Sequence, residues 1–212
     1  MGSLNWSAPK IWPDSKVYII GGGPSLSEMD LTPIHSQRVI GVNNAFELGD
    51  WVDCCYFGDS RWYDWNKDAL KNFGGLKVTS FGREVSCRKG LPGIHKISRE
   101  HTLGISKKNN VIFWNRSSGA SAINLAYHFG AKIIVLLGFD MKMKGDMHNW
   151  HSQHKRFHIP PNDIYSNRFI KVFGKISKDA NTLGITILNA TPDSAITNFK
   201  MVSLEESLCY QN

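Results

Sequence analysis

Much is missing from this sequence, and the absences narrow its chemistry before any motif is read. It has four cysteines in 212 residues, Cys54, Cys55, Cys87 and Cys209, and no C-x-x-C pair. Cys54 and Cys55 adjoin in an apolar run, so a strand would send them to opposite faces and they make a poor metal pair. Reduced core thiols in a cytoplasmic protein are expected, which leaves the sequons at Asn5, Asn115 and Asn189 without meaning. No apolar run approaches the roughly 18 residues of a membrane helix; the longest, around Ile133 to Leu137, is strand-sized. The N-terminus lacks the basic region and apolar core of a signal peptide, and Trp6 stands where a myristoylation signal wants Ser or Thr. Membrane partners are therefore not expected. Repeats and low-complexity tracts are absent too. With 42% hydrophobic residues, the length suits a single globular domain. There is no Ser-His-Asp elbow, no paired-Glu glycosidase pattern and no context for a nucleophilic cysteine.

What is present begins with Val17-Tyr18-Ile19-Ile20-Gly21-Gly22-Gly23-Pro24-Ser25-Leu26. Four apolar residues read as a strand buried on both faces, and the glycines after it would let bare backbone N–H groups approach an anion. The alternative is a tight strand-to-helix turn without a ligand. The dinucleotide fingerprint is excluded because Leu26 occupies its third glycine position, and no Gly-Lys-Ser/Thr closes a Walker loop. The net charge, 25 − 18 = +7, favours an anionic ligand, either a nucleotide or a nucleic acid. Its lysines and arginines are scattered, apart from Lys107-Lys108 and Lys155-Arg156, which speaks more for a soluble basic surface than for nucleic-acid binding.

Further strands are expected at Arg38–Asn43, Trp51–Phe57, Leu76–Phe81, Asn110–Trp114, Lys132–Gly138 and Ile185–Asn189. Helices are expected over Trp62–Asn72, Ala120–Phe129 and Asn167–Leu183, the last two ended by Gly130 and Gly184. The polar stretch 82–110 reads as a lid or an insertion, and 141–161 as a histidine-rich loop. Strand–helix alternation implies a three-layer, Rossmann-like α/β sandwich with a mostly parallel sheet. Ligands bind at the carboxyl ends of such strands, where Gly21–Gly23, Asn43-Asn44, Gly58–Ser60, Asn115–Gly119, Phe139-Asp140 and Asn189–Thr191 are nearly all polar or glycine.

Between Asp140 and Pro161 lie Asp146, His148, His151, His154 and His158. The spacing of His151, His154 and His158 would put them on one helical face, but Pro160-Pro161 and the lack of an acidic partner speak against zinc. A general acid or base in a loop is the better reading, with role-free surface histidines as the alternative. Asp140 is suited to a ribose hydroxyl, a metal or a substrate amine, or else to a turn. Ser117, Ser118 and Gly119 precede a helix, with Ser118 as N-cap, as phosphate ligand, or both. Asn43 and Asn44 could cap a turn or read a base edge.

These residues, taken in order, resemble the family-42 bacterial sialyltransferases. The match runs through Gly21-x-Gly23-Pro24-Ser25-Leu26, Val42-Asn43, Ser117-Ser118-Gly119, Leu137-Gly138-Phe139-Asp140 and a late histidine. It extends to the related DUF115 group, which includes archaeal 6-hydroxymethylpterin diphosphokinases and short phage-encoded proteins. The resemblance covers Val17 to Leu208 and is weakest between Trp62 and Asn110. It implies that Gly21, Gly23, Ser25, Asn43, Ser118 and Gly119 hold a nucleotide, that His158 is the catalytic base, and that His151 and His154 belong to a mobile lid. The chain departs from the family at Gly22, where the sialyltransferases have Asn, and in the lid tyrosines.

The expectation is thus a nucleotide-dependent transferase, a glycosyltransferase with a nucleotide-sugar donor. Gly21, Gly22, Gly23, Ser25, Asn43, Asn44, Asp59, Ser117, Ser118 and Gly119 would bind the nucleotide, and His158 and Asp140 would serve the chemistry. No resident cofactor or structural metal is expected; Mg²⁺ at Asp140 belongs to the alternative, diphosphate transfer to a pterin-like alcohol. A non-catalytic nucleotide-sequestering protein is a third reading, and homo-oligomerisation is left open.

Overall fold

A computed structural model describes residues 6–81, 91–147, 149–151 and 164–211. The first strand, β1 (Lys16–Ile20), is buried from Val17 onward, and β2 (Arg38–Val42), β3 (Cys54–Phe57) and β4 (Leu76–Thr79) follow outward on one side. A two-residue strand, β5 (His95–Lys96), extends that side. The chain then returns, and β8 (Ile133–Leu137), β9 (Thr186–Asn189) and β10 (Lys200–Met201) extend the sheet the other way. The resulting order is β10-β9-β8-β1-β2-β3-β4-β5, parallel at every pairing among the described residues. The expected mostly parallel α/β sandwich is therefore observed, as a single domain. The direction of winding reverses between β1 and β8, and a crevice opens there at the carboxyl edge.

Alternation along the central strands separates two cores. Val17, Ile19, Ile40, Cys54 and Tyr56 face one side, and Tyr18, Ile20, Val39, Cys55 and Phe57 the other. Cys54 and Cys55 do point apart, and burial pushes both thiols up, away from thiolate chemistry. The first core lies under α2 (Ser118–Phe129) and α3 (Lys171–Leu183). The second lies under α1 (Ser60–Asn72), α4 (Leu204–Cys209) and short 3-10 turns at Pro24–Glu28, Thr32–Ile34 and Asn43–Leu48. The first β–α connections are therefore these brief turns rather than full helices.

Several details differ from the sequence reading for local reasons. The N-cap of α2 is Ser117, whose hydroxyl accepts from Ala120 N at 3.2 Å, not Ser118. Its C-cap, Gly130, has φ = 100°, as a left-handed terminator requires. The expected helix over Asn167–Leu183 begins instead with a π-turn at Tyr165–Phe169, closed by Ile170 N donating to Tyr165 O at 2.8 Å, and α3 starts only at Lys171. β10, unforeseen in the sequence, forms the far edge, and α4, also unforeseen, packs back against β1, where Ser207 O accepts from Lys16 Nζ at 2.6 Å. In 82–110, residues 82–90 lie outside the described part; the remainder supplies β5 and β6 (Ser98–Glu100), which pairs with β7 (Val111–Phe113) as a small second sheet.

That small sheet and the loop between its strands explain why α2 is buried nearly all round, not on one face. Asn124 Oδ1 accepts from Ser106 N at 2.9 Å and Phe113 N at 3.1 Å, and Nδ2 donates to Ser106 O at 3.2 Å. His128 Nε2 donates to Val111 O at 2.8 Å. Polar side chains on the outer face of α2 thus meet the backbone needs of the packed segment.

Candidate functional site

At the winding reversal, a cleft of about 360 Å³ opens beyond the ends of β1, β2 and β8 and the start of α2. It brings together Gly21, Gly22, Gly23, Asn43, Ser117, Ser118, Gly119, Asp140 and His151, all singled out in the sequence. Gly138 and Phe139, quoted with Asp140 in the sequence, line it as well, and so do Lys142, Asn149, Tyr165 and Phe169, which were not foreseen. Lys142 lies two residues past Asp140, so position alone could have suggested it. Tyr165 and Phe169 arrive through the π-turn, which no periodicity announces.

The glycine turn works differently from its expected role. Gly21 N donates to Leu137 O and Gly23 N to Gly138 O, both at 2.8 Å, so these amides are spent on the end of β8. What the glycines provide is closeness. A Cβ on Gly21 would stand 2.6 Å from Gly138 O, and one on Gly23 would stand 1.8 Å from Asp140 Oδ2. The missing side chains let the turn and the Gly138–Asp140 segment pack together. Two of the amides expected to face an anion are thus taken by the fold, while all three glycines still line the cleft.

Ser25 and Asp140 hold that packing. Ser25 N donates to Oδ1 and Ser25 Oγ to Oδ2, each at 2.9 Å. Asp140 is only 5% exposed, and burial pushes its carboxyl above the usual range against the pull of the Ser25 bonds. Ser25 is thus a partner of Asp140 and does not line the cleft. Burial, together with the nearby Asp140 carboxylate, also raises the Tyr165 phenol.

Donors for an anion lie instead at α2. Among the described residues, Ser118 N and Gly119 N, the first two amides of the helix, have no acceptor, and both residues line the cleft. Here the helix dipole is positive, and Lys142 on the rim adds a formal charge. Across from them, Asn43 has φ = 54°, in the left-handed region, and its buried Oδ1 has no hydrogen-bond partner. Met141 (φ = 51°), Asn115 (φ = 49°) and Arg116 (φ = 59°) share that conformation around the same edge. Such outliers gather where a fold holds a site in shape.

Two of the expected nucleotide ligands are turned elsewhere. Asn44 accepts from Trp62 Nε1 at 2.7 Å and faces α1, so its amide serves packing. Asp59 caps α1, accepting from Arg61 N at 2.8 Å, and lies outside the cleft. Of the histidine-rich loop 141–161, 141–147 and 149–151 are described, and Trp150 N donates to Gly22 O at 3.1 Å in the glycine turn. His154 and His158 lie outside the described residues. No cluster of three ligating side chains that could hold a metal occurs among the described residues.

No protein-family model matches the sequence, nor does any curated protein. Solved structures do. The MAf glycosyltransferase from Magnetospirillum magneticum AMB-1 superposes with a TM-score of 0.63 at 13% identity, over 98% of this chain and 36% of that one. The chain thus spans about a third of that protein's length. The sialyltransferase CstII from Campylobacter jejuni, in complex with the substrate analogue cytidine-5'-monophosphate, gives a TM-score of 0.57 at 17% identity, over 90% of this chain and 86% of CstII. CstII in complex with CMP-3FNeuAc gives 0.52, also at 17% identity, over 89% and 85%. What this chain shares with them is the fold.

Proposed function

We propose that the protein is a nucleotide-dependent transferase, specifically a glycosyltransferase that moves a sugar from a nucleotide-activated donor to an acceptor hydroxyl. The observation that carries the reading is the pairing, across one cleft, of the unpartnered Asn43 amide oxygen with the two open amides of α2. A nucleotide offers a complement to each. Its base or ribose donors suit Asn43, and its phosphate suits Ser118 N, Gly119 N and Lys142. The solved CstII complexes with CMP and a CMP-sugar analogue add support through the shared fold.

In this reading the acceptor oxygen attacks the anomeric carbon as the bond from that carbon to the phosphate oxygen breaks. The nucleotide leaves with the bonding pair, and the α2 amides and Lys142 stabilise its charge. His158 takes the acceptor proton, while His151 acts from the lid. Asp140 sets the shape of the glycine turn through the two bonds its oxygens accept from Ser25.

A thermal-shift panel of CMP, UDP, GDP and ATP, with and without EDTA, tests this. One nucleotide should stabilise the fold by about 2.7 kcal/mol at a hundred times its Kd, and the matching sugar nucleotide should turn over in EDTA. His158→Ala should lower kcat by roughly 10²–10⁴-fold with nucleotide affinity retained, and His151→Ala should do less. Strict Mg²⁺ dependence with ATP would favour diphosphate transfer. Tight binding without turnover would favour a sequestering role.

A further inference from the structure

Beside the cleft, at the carboxyl end of β3, lies a second concavity of about 330 Å³ lined by Gly58, Asp59, Ser60, Arg61, Arg99 and Trp114. The two meet at Gly58. A Cβ there would stand 2.3 Å from the Trp114 ring and 3.1 Å from Ser118 Oγ, and Ser118 lines the first cleft. Arg99, half-buried on β6, stacks its guanidinium 4.6 Å from the Trp114 ring centroid. One of its N–H groups donates to Gly58 O at 3.0 Å.

A guanidinium carries five N–H donors in a fixed fork, and none of the ion pairs among the described residues includes Arg99. The fork is therefore oriented by stacking and one carbonyl, with most of its donors unspent. Arg61 brings a second guanidinium, 3.6 Å from Asp59. Asp59 is the carboxylate lining the pocket, and its Oδ1 is occupied by Arg61 N and Trp62 N at 2.8 and 3.4 Å. Two guanidiniums against one carboxylate leave a net positive charge. A planar, half-buried and pre-oriented guanidinium is suited to bidentate recognition of a carboxylate or phosphate.

We propose that this pocket is the acceptor subsite of the transferase, and that it selects an acceptor bearing an oxyanion held by Arg99. The proposal rests on the transferase reading. Donor and acceptor would then enter from neighbouring concavities and meet at Ser118.

The test is calorimetric titration of the full chain, saturated with its stabilising nucleotide, with glucuronate, glucose phosphate and glucose. At least one anionic sugar should bind about tenfold or more tightly than glucose, and the tighter of the two identifies the anion. Arg99→Leu should abolish the difference, and Arg99→Lys should keep only part of it, both with nucleotide affinity unchanged. If Arg99→Leu does not fold, Arg61→Ala serves, since that side chain is 70% exposed; it should weaken the anionic sugars several-fold. Equal binding of all three sugars, or discrimination that survives Arg99→Leu, overturns the subsite while nucleotide binding preserves the transferase reading. Failure of every nucleotide to bind, with Arg99-dependent anion binding intact, overturns the acceptor assignment and the transferase reading and leaves an anion pocket.

Discussion

At the scale of single residues, Asn43 and His128 show how one side chain can be read for binding or for stability alone. Asn43 holds a left-handed backbone that glycine adopts without strain, so Asn43→Gly should leave stability equal or slightly raised. The same change removes the unpartnered amide oxygen and should weaken nucleotide binding by about fivefold, a charge-neutral hydrogen bond being worth about 1 kcal/mol. Calorimetry and denaturant melts on one sample check both; unchanged affinity would release Asn43 from the site. His128 serves the fold. Burial lowers its imidazole below the ordinary 6.5, against the hydrogen bond to Val111 O. The unfolded chain therefore takes up the proton first as pH falls. The stability His128 contributes is complete above pH 6.5 and is lost from there down to the folded-state value, at no more than about 1.4 kcal/mol per pH unit. Urea melts between pH 7.5 and 5 should show this loss, and His128→Gln, which keeps a donor for Val111 O but does not titrate, should flatten it.

At the scale of elements, the glycine turn and the start of α2 exchange the roles the sequence suggests. Three glycines after a buried strand point to a phosphate cradle, yet their amides at Gly21 and Gly23 are spent on β8. Gly23→Ala should therefore destabilise the fold by about 1–3 kcal/mol through overpacking against Asp140, rather than selectively blocking a ligand. A folded Gly23→Ala protein of unchanged stability would return the turn to a ligand-binding role. At α2, Ser117→Ala should cost about 1 kcal/mol through loss of the cap and should also weaken nucleotide phosphate binding, because it loosens the amides that face the cleft. Melts and titration together separate the two effects. The π-turn at Tyr165–Phe169 was not legible, since an i→i+5 bond follows from no residue pattern.

At the scale of the whole molecule, stability should be highest where the sheet is broadest. Hydrogen exchange followed by mass spectrometry should find peptides over β1 and β8 slowest, and those over the two-residue edge strands β5 and β10 much faster. Uniform exchange across the sheet would argue that the edges are held by more than their own short pairings. By itself the sequence determined the α/β class, the parallel sheet and most strand positions, because continuous apolar runs and glycine stops are local signals. It also pointed to the carboxyl edge, where polar and glycine residues end nearly every strand and where the cleft opens. Tertiary structure alone decided which of those residues face the cleft. Asn43 and Asn44 are neighbours in sequence, but one lines the cleft and the other is bonded to Trp62. It likewise moved the open amides from the glycine turn to α2, and placed Arg99 of β6 beside Gly58 at the end of β3. Each of these depends on which partner reaches a group first across long stretches of chain, and that competition is settled only when strands and helices pack.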